Sequence, residues 1–223
     1  MTLTLYTLDW VPDFPRGFVR DLRIRWALEE IGRDYDTATV PGGAKTDAHL
    51  AMQPFGQVPI IRDGDQTLFE SGAILMHVAE GTALLPADRR ADVTQWLFAA
   101  LNTLEMATMH WQVMLLARKF PDFFGPPPAD EVIAHARGFM ATRLDVLDTR
   151  MADHEWIAGD FSIADIATID TLRNVASEDG LADHPALTDY VARATARPAF
   201  TRALRDHMAH WQAADAARET ETA

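Results

Sequence analysis

Cysteine is absent from all 223 residues. That excludes disulfides, thiolate metal sites and any enzyme whose nucleophile is its own cysteine, so thiol chemistry here needs a thiol brought by a ligand. Lysine is almost absent, with Lys45 and Lys119 alone. No apolar run approaches the ~20 residues of a membrane span. Met1-Thr-Leu-Thr-Leu-Tyr also lacks the basic stretch that opens an export signal. A cytoplasmic chain with no membrane partner is expected. The net charge of -13 excludes nucleic acid as a general partner. An anionic substrate then requires a local basic pocket working against the global field. What is present is core material: 48% of the residues are hydrophobic and 24% charged, enough for one large domain or two modest ones.

The first eighty residues alternate strand and helix signals. Leu3, Leu5 and Leu8, with threonines between them, predict a first strand. The stretch from Gly17 to Gly32 predicts a helix, with Phe18, Leu22, Trp26 and Leu28 as its apolar stripe and Gly32 as its C-terminal stop. Tyr35 to Val40 predicts a second strand, parallel to the first across that helix. A short helix over Asp47 to Met52 follows, then strands over Val58–Ile61 and Thr67–Phe69 joined by the hairpin signal Arg62-Asp-Gly-Asp. Ser71 opens a helix to Glu80. The order β-α-β-α-β-β-α predicts a four-stranded mixed sheet of thioredoxin-like type.

Beyond Gly81 nearly everything has helical periodicity, starting with the stripe Val93, Trp96, Leu97, Ala100, Leu101 and Leu104. Phe120 to Pro128 breaks it, Val132 to Met151 resumes it, and Ser162-Ile-Ala-Asp165 is a capping box opening another helix. The expected division is a thioredoxin-like domain over 1–80, a linker over 81–91 and an all-helical domain over 92–223. The polar tail from Ala213 is expected to fray. His207 and His210, three apart with no carboxylate framework around them, predict a solvated helix and no metal.

The chemically informative stretches are Gln53-Pro-Phe-Gly-Gln-Val-Pro-Ile-Ile and Leu68-Phe-Glu-Ser-Gly-Ala-Ile-Leu. A proline opening a strand cannot donate to the ladder and belongs at an edge or bend. With a cis Val58–Pro59 bond, the turn offers the backbone of Val58 to an extended peptide ligand; a trans surface turn is the alternative. Glu70-Ser71 stands at a strand-to-helix junction, where free N–H groups and the helix dipole suit a carboxylate and Glu70 suits an ammonium.

Together these motifs resemble the glutathione S-transferases, with Arg25-Trp-Ala-Leu-Glu-Glu-Ile-Gly and the Ser162–Asp165 box in keeping. The likeness covers the whole chain and suggests a bacterial-type member of open subclass. It implies a cytoplasmic homodimer with glutathione as co-substrate and a small apolar electrophile as the second reactant. By the same resemblance, Val58 and Pro59 meet the cysteinyl backbone, Glu70 and Ser71 the γ-glutamyl end, and His49 and Gln57 the glycyl carboxylate, with Lys45 adding local charge.

A departure stands where the thiol is activated. Leu8 to Arg20 reads LDWVPDFPRGFVR, with no Ser, Thr, Tyr or Cys, and Phe18 falls on the family's serine. The substitutes are Tyr6 or Thr7 at the strand end, Arg16, Arg20 and the indole N–H of Trp10, helped by the start of the first helix. Arg16 and Arg20 with that helix terminus are favoured. Met106, Met109, His110, Trp111 and Met114 form a stripe that reads either as core or, by the resemblance, as an electrophile pocket of Met106, His110 and Met114, with Trp10. Glutathione conjugation is the expected reaction. A glutathione-dependent peroxidase or reductase, or a docking module that has lost catalysis, are the alternatives.

Overall fold

Strand β1 (Leu3–Leu8) alternates fully buried Leu3, Leu5 and Thr7 with half-buried Thr4, Tyr6 and Leu8, the period-two pattern of a strand with one face in the core. In the computed structural model, which describes residues 2–222, it pairs in parallel with β2 (Tyr35–Val40) and antiparallel with β3 (Ile60–Asp63), which pairs in turn with β4 (Gln66–Phe69). The sheet order is β2-β1-β3-β4. Asp63 faces Gln66 across a two-residue turn in which Gly64 takes φ 59, a conformation that side chains disfavour. The expected mixed sheet is present.

The chain divides into two compact units: the described residues up to Pro86 together with those from Thr195 on, and Ala87–Ala194. The first unit holds the sheet with α1 (Asp21–Ile31), α2 (Asp47–Met52), α3 (Ser71–Ala79) and α10 (Pro198–Thr222). Eight successive residues of α1, Asp21 to Leu28, are buried, because the helix packs on β1, α3 and α10 at once. Such a helix must carry its charges inside, and it does, as Asp21, Arg23 and Arg25.

The structure redraws three of the expected boundaries. The first helix starts at Asp21 because the chain from Asp13 to Arg20 is spent on turns, with Gly17 at φ 82. The last helix joins the first unit and does not close the helical one, because its apolar face covers α1: Trp26 meets Phe200 edge-on at 4.8 Å, and Trp211 is fully buried. The tail from Ala213, expected to fray, continues that helix to Thr222, as an alanine-rich sequence allows.

The second unit contains one continuous rod of α4 (Arg90–Phe98), a π-helical stretch (Ala99–Leu104) and α5 (Glu105–Lys119), followed by α6 (Pro121–Phe124), α7 (Asp130–Ala152), α8 (Ile163–Ala176) and α9 (Pro185–Thr195). Helix α8 is its centre: Ile163 to Leu172 are buried without interruption, as for a helix wrapped on all sides. Its capping box is complete. The Asp165 carboxylate accepts from the backbone N–H groups of Ile157 and Ser162, the Ser162 hydroxyl and the Tyr190 hydroxyl at 2.6–2.9 Å.

The two residues of the box therefore carry unequal loads. Ser162→Ala removes one cap and is expected to cost about 1 kcal/mol. Asp165→Ala orphans four buried donors and is expected to cost roughly 3 kcal/mol or more. Urea unfolding of both variants measures the ordering.

Candidate active site

Three chain segments converge at one end of the sheet. In the β1–β3 register Leu5 faces Ile61 and Tyr6 faces Ile60, so the end of β1 and the turn before β3 lie at the same end of the sheet. In the β3–β4 register Ile60 faces Phe69, so the turn before β3 and the Glu70–Ser71 junction after β4 lie at the same end of the sheet. The Val58–Pro59 peptide is cis. Pairing in β3 begins only at Ile60, so the backbone of half-buried Val58 lies outside the ladder. The same end receives the start of α1, because Arg23 Nη1 donates to Ser71 Oγ at 3.3 Å and joins the first turns of α1 and α3. Arg23 is 1% exposed and Ser71 6%. A buried guanidinium thus stands under the hydroxyl, whose own hydrogen is left to donate.

Glu70 is the most unusual residue of the group. It is exposed, caps α3 and has φ 70 and ψ 117, in a region where non-glycine residues cost about 1–3 kcal/mol. This conformation turns the chain sharply from β4 into α3. Ser71 becomes the first residue of the helix where the sequence suggested its cap.

The turn before Val58 is held from inside. Gln53, 2% exposed, accepts the N–H groups of Phe55 (2.6 Å) and Gln57 (3.2 Å) on its Oε1. His49, expected at the glycyl carboxylate, is 1% exposed and its Nε2–H donates to the Gln57 carbonyl at 3.1 Å. It braces the turn, because α2 puts it on the inward face. The Gln57 side chain is exposed. Lys45 lies over the same turn: a Cβ at Gly56 would fall 2.9 Å from its Cγ, and its Nζ donates to the Pro41 and Gly42 carbonyls.

The candidates for thiol activation separate clearly. Arg16 donates to both oxygens of Asp215, at 2.5 and 2.7 Å, and to the Val11 carbonyl at 2.9 Å. Its guanidinium is taken up by Asp215 of α10 and by Val11 and Asp13 of its own loop. The Trp10 indole N–H also goes to Asp215, at 2.8 Å. Tyr6 occupies the less buried face of β1, with the Arg62 guanidinium 5.9 Å from its ring centre. Thr7 is fully buried on the other face, and its hydroxyl has no hydrogen-bond partner. Arg20 is half-buried at the first cap position of α1, the one favoured arginine still at the helix entrance.

Helix α10 takes a larger part than the sequence suggested. Gly17 N–H donates to His207 Nε2 at 3.2 Å, which puts the ring's proton on Nδ1, aimed at Asp21 Oδ2 at 3.3 Å. Arg25 Nε donates to the same oxygen at 2.7 Å. Burial opposes the Asp21 charge, but the His207 hydrogen bond and Arg25 hold its pKa below the ordinary value. His210 Nε2 donates to the Leu8 carbonyl at 2.9 Å. Neither histidine is a solvated surface residue, because α10 turns both toward the loop and α1. On the second unit, Met106 is 66% exposed, His110 exposed and Met114 half-buried, while Ala107, Thr108, Trp111 and Gln112 face inward. The stripe is therefore divided, with Trp111 in the core and the three pocket candidates outside it.

Two family models match the chain: "Glutathione S-transferase, N-terminal domain" over residues 14–80 and "Glutathione S-transferase, C-terminal domain" over 105–198. Glutathione S-transferase 3 of Zea mays is 34% identical over 209 residues, covering 88% of this chain and 84% of the maize protein. Glutathione S-transferase F10 of Arabidopsis thaliana is 33% identical over 163 residues, covering 67% and 74%. Among solved structures, a glutathione transferase of Burkholderia graminis with two glutathione molecules bound per subunit superposes with a TM-score of 0.74 at 27% identity, covering 91% of this chain and 87% of its own.

The Arg16 and Trp10 hydrogen bonds hold the Asp215 carboxyl down at about 2, below its ordinary 3.8. A carboxylate whose folded pKa is depressed stabilises the fold above its unfolded value and loses that contribution as pH falls through the folded one. Wild type is therefore expected to melt above Asp215→Asn at neutral pH. The gap should close progressively between about pH 4 and pH 2. A gap independent of pH would rule out the ion pair as its source.

Proposed function

This chain belongs to the glutathione S-transferase family, and from that premise we propose how it works. It is a glutathione transferase, with glutathione as co-substrate. The electrophile is a small apolar molecule, and the reaction joins the glutathione sulfur to it. Val58, ahead of the ladder, pairs strand-fashion with the cysteinyl backbone beside Pro59. Glu70 takes the γ-glutamyl ammonium, and Ser71 with the first N–H groups of α3 takes its carboxylate. Arg23 adds positive charge beneath that carboxylate. Gln57 remains the contact for the glycyl end, with His49 bracing its carbonyl. The observation that carries this reading is Glu70 at φ 70, a strained non-glycine residue set beside the Val58–Pro59 turn and over the start of α3.

A free thiol with pKa near 8.5 is only a few per cent thiolate at neutral pH, and a fall of about two units needs roughly 2.7 kcal/mol of preference for the anion. With Arg16 engaged by Asp215, the positive end of the α1 dipole and the nearby charge of Arg20 are what favour the thiolate. We assign the electrophile to the exposed Met106, His110 and Met114 face of α5, whose flexible thioethers suit varied apolar substrates. The functional species is a homodimer. Phe55 at 71%, Phe98 at 53% and Val146 at 67% exposure are apolar surface that a second copy would cover. The cytoplasm, where glutathione is kept reduced, is the compartment this chemistry suits.

The deciding experiment is the ultraviolet thiolate absorbance of glutathione titrated with and without the protein. A bound midpoint about two units below the free value is expected. Binding with an unshifted midpoint would sink the transferase mechanism. Ser71→Ala should weaken glutathione by about tenfold, the worth of one hydrogen bond to a charged group, as read by calorimetry. Glu70→Gly should act in opposite directions. Relief of the positive φ raises the melting temperature by roughly 2–4 °C, while loss of the carboxylate weakens glutathione binding. A variant that gains stability and keeps its affinity would remove Glu70 from the site.

A further inference from the structure

The loop between β1 and α1 runs from Asp9 to Arg20, longer than most strand-to-helix connections. Turns within it join the Arg16 N–H to the Asp13 carbonyl and the Phe18 N–H to the Pro15 carbonyl, but a helix terminus that must face a sulfur atom also needs the loop fixed to its surroundings. Its start is tied to the end of β2, where Asp9 donates its N–H to the Val40 carbonyl and accepts the Gly42 N–H, and beyond that α10 fastens it at successive points. His210 holds the Leu8 carbonyl at the exit of β1. Asp215 holds Trp10 at 2.8 Å and Arg16 through both guanidinium nitrogens, and Arg16 in turn closes on the Val11 carbonyl. His207 holds the N–H of Gly17, one turn before α1. The Arg218 guanidinium stacks over the Trp10 ring at 4.3 Å from its centre. Trp10, His207, His210 and Asp215 all lie outside the segments matched by the family models, 14–80 and 105–198.

We propose that Asp215 is a positioning residue for the transferase reaction: through Arg16 and Trp10 it fixes the β1–α1 loop so that the positive end of α1, where the Leu22 and Arg23 N–H groups are already spent on the Val19 and Arg20 carbonyls, faces the glutathione sulfur. Asp215 touches no substrate. It acts by setting where the helix begins, in a chain whose loop offers no hydroxyl to the thiol. The side-chain exposures suit this role, with Arg16 at 11% inside the loop and Asp215 at 40% on the rim. Asp13, also within reach of Arg16 at 3.1 Å, is 94% exposed and cannot replace the bidentate grip. The proposal rests on the reading of the site as a thiolate-stabilising one.

The test is the thiolate midpoint of bound glutathione in Asp215→Asn, Asp215→Glu and Trp10→Phe. Its sign is informative. Removing a carboxylate and freeing Arg16 adds positive charge, which by field alone lowers the midpoint. Loss of position raises it. Asp215→Asn is expected to raise the midpoint by about one unit, which below both midpoints means roughly tenfold less thiolate and a similar fall in kcat. The KM for glutathione should stay within about twofold of wild type, since Val58, Glu70 and Ser71 are untouched. Asp215→Glu, which keeps the carboxylate, should recover at least half of the shift. Trp10→Phe leaves the ion pair intact and should move the midpoint in the same direction by less. It carries the test if Asp215→Asn does not fold. A midpoint that stays at the wild-type value or falls overturns the proposal, whatever the melting temperature does. If wild-type protein binds glutathione without lowering its thiol pKa, the thiolate site itself is refuted and this role with it. That outcome is visible before any variant is made.

Discussion

The buried carboxylate of Asp21 is the constraint on which the first unit depends. It sits in the first turn of α1 and is fully buried, and an uncompensated charge there would cost several kcal/mol. Arg25, one turn on, and His207, from the last helix, supply the compensation. Because His207 must present Nδ1–H to Asp21, its Nε2 is left as an acceptor and takes the Gly17 N–H. One buried charge therefore fixes a tautomer, the tautomer fixes a loop residue, and the loop delivers the chain to the start of α1. The same contact explains why α10 belongs with the sheet. A helix that solvates no charge of its own unit could pack elsewhere, but one that completes Asp21 cannot.

The parts of this arrangement that were legible in the sequence are those with local signals. Alternating Leu3, Leu5 and Leu8, the Asp-Gly hairpin, Gly32 as a helix stop and the Ser162–Asp165 box each specify backbone geometry within a few residues, and each stands where it was expected. The motif around Val58–Pro59 and Glu70–Ser71 was legible for the same reason. What could not be read were the partners brought together from far along the chain. Arg23 under Ser71 is 48 residues away, Gly17 and His207 are separated by 190, and Arg16 and Asp215 by 199. No periodicity encodes such pairs. His49 shows the complementary failure: its position in α2 was clear, but whether it faces in or out depended on Gln57 folding back over it.

The charge distribution resolves an apparent conflict. A chain of net charge -13 repels an anionic tripeptide at long range, yet screening limits that repulsion to roughly 8 Å at physiological salt. At contact distance the field is local. The starts of α1 and α3 converge, Arg23 lies between them, and Lys45 covers the neighbouring turn. Ser71 is held by a buried guanidinium rather than by water, so its hydroxyl is oriented before a ligand arrives and little entropy is lost on binding.

The missing hydroxyl is then a smaller deficit than it first looks. Thiolate preference of roughly 2.7 kcal/mol is within reach of a helix terminus, worth up to ~2 kcal/mol in partly buried geometry, joined by a single charge-assisted hydrogen bond of about 1.5–3 kcal/mol. Neither contribution requires a side-chain oxygen. Both, however, fall off within one helical turn, so they are effective only if the helix start is held in place. A hydroxyl on a side chain can rotate to follow a sulfur atom, whereas a backbone N–H cannot. Replacing the first by the second transfers the demand from chemistry to rigidity. The long loop without Ser, Thr, Tyr or Cys and the clasp from α10 that immobilises it are two sides of that one exchange.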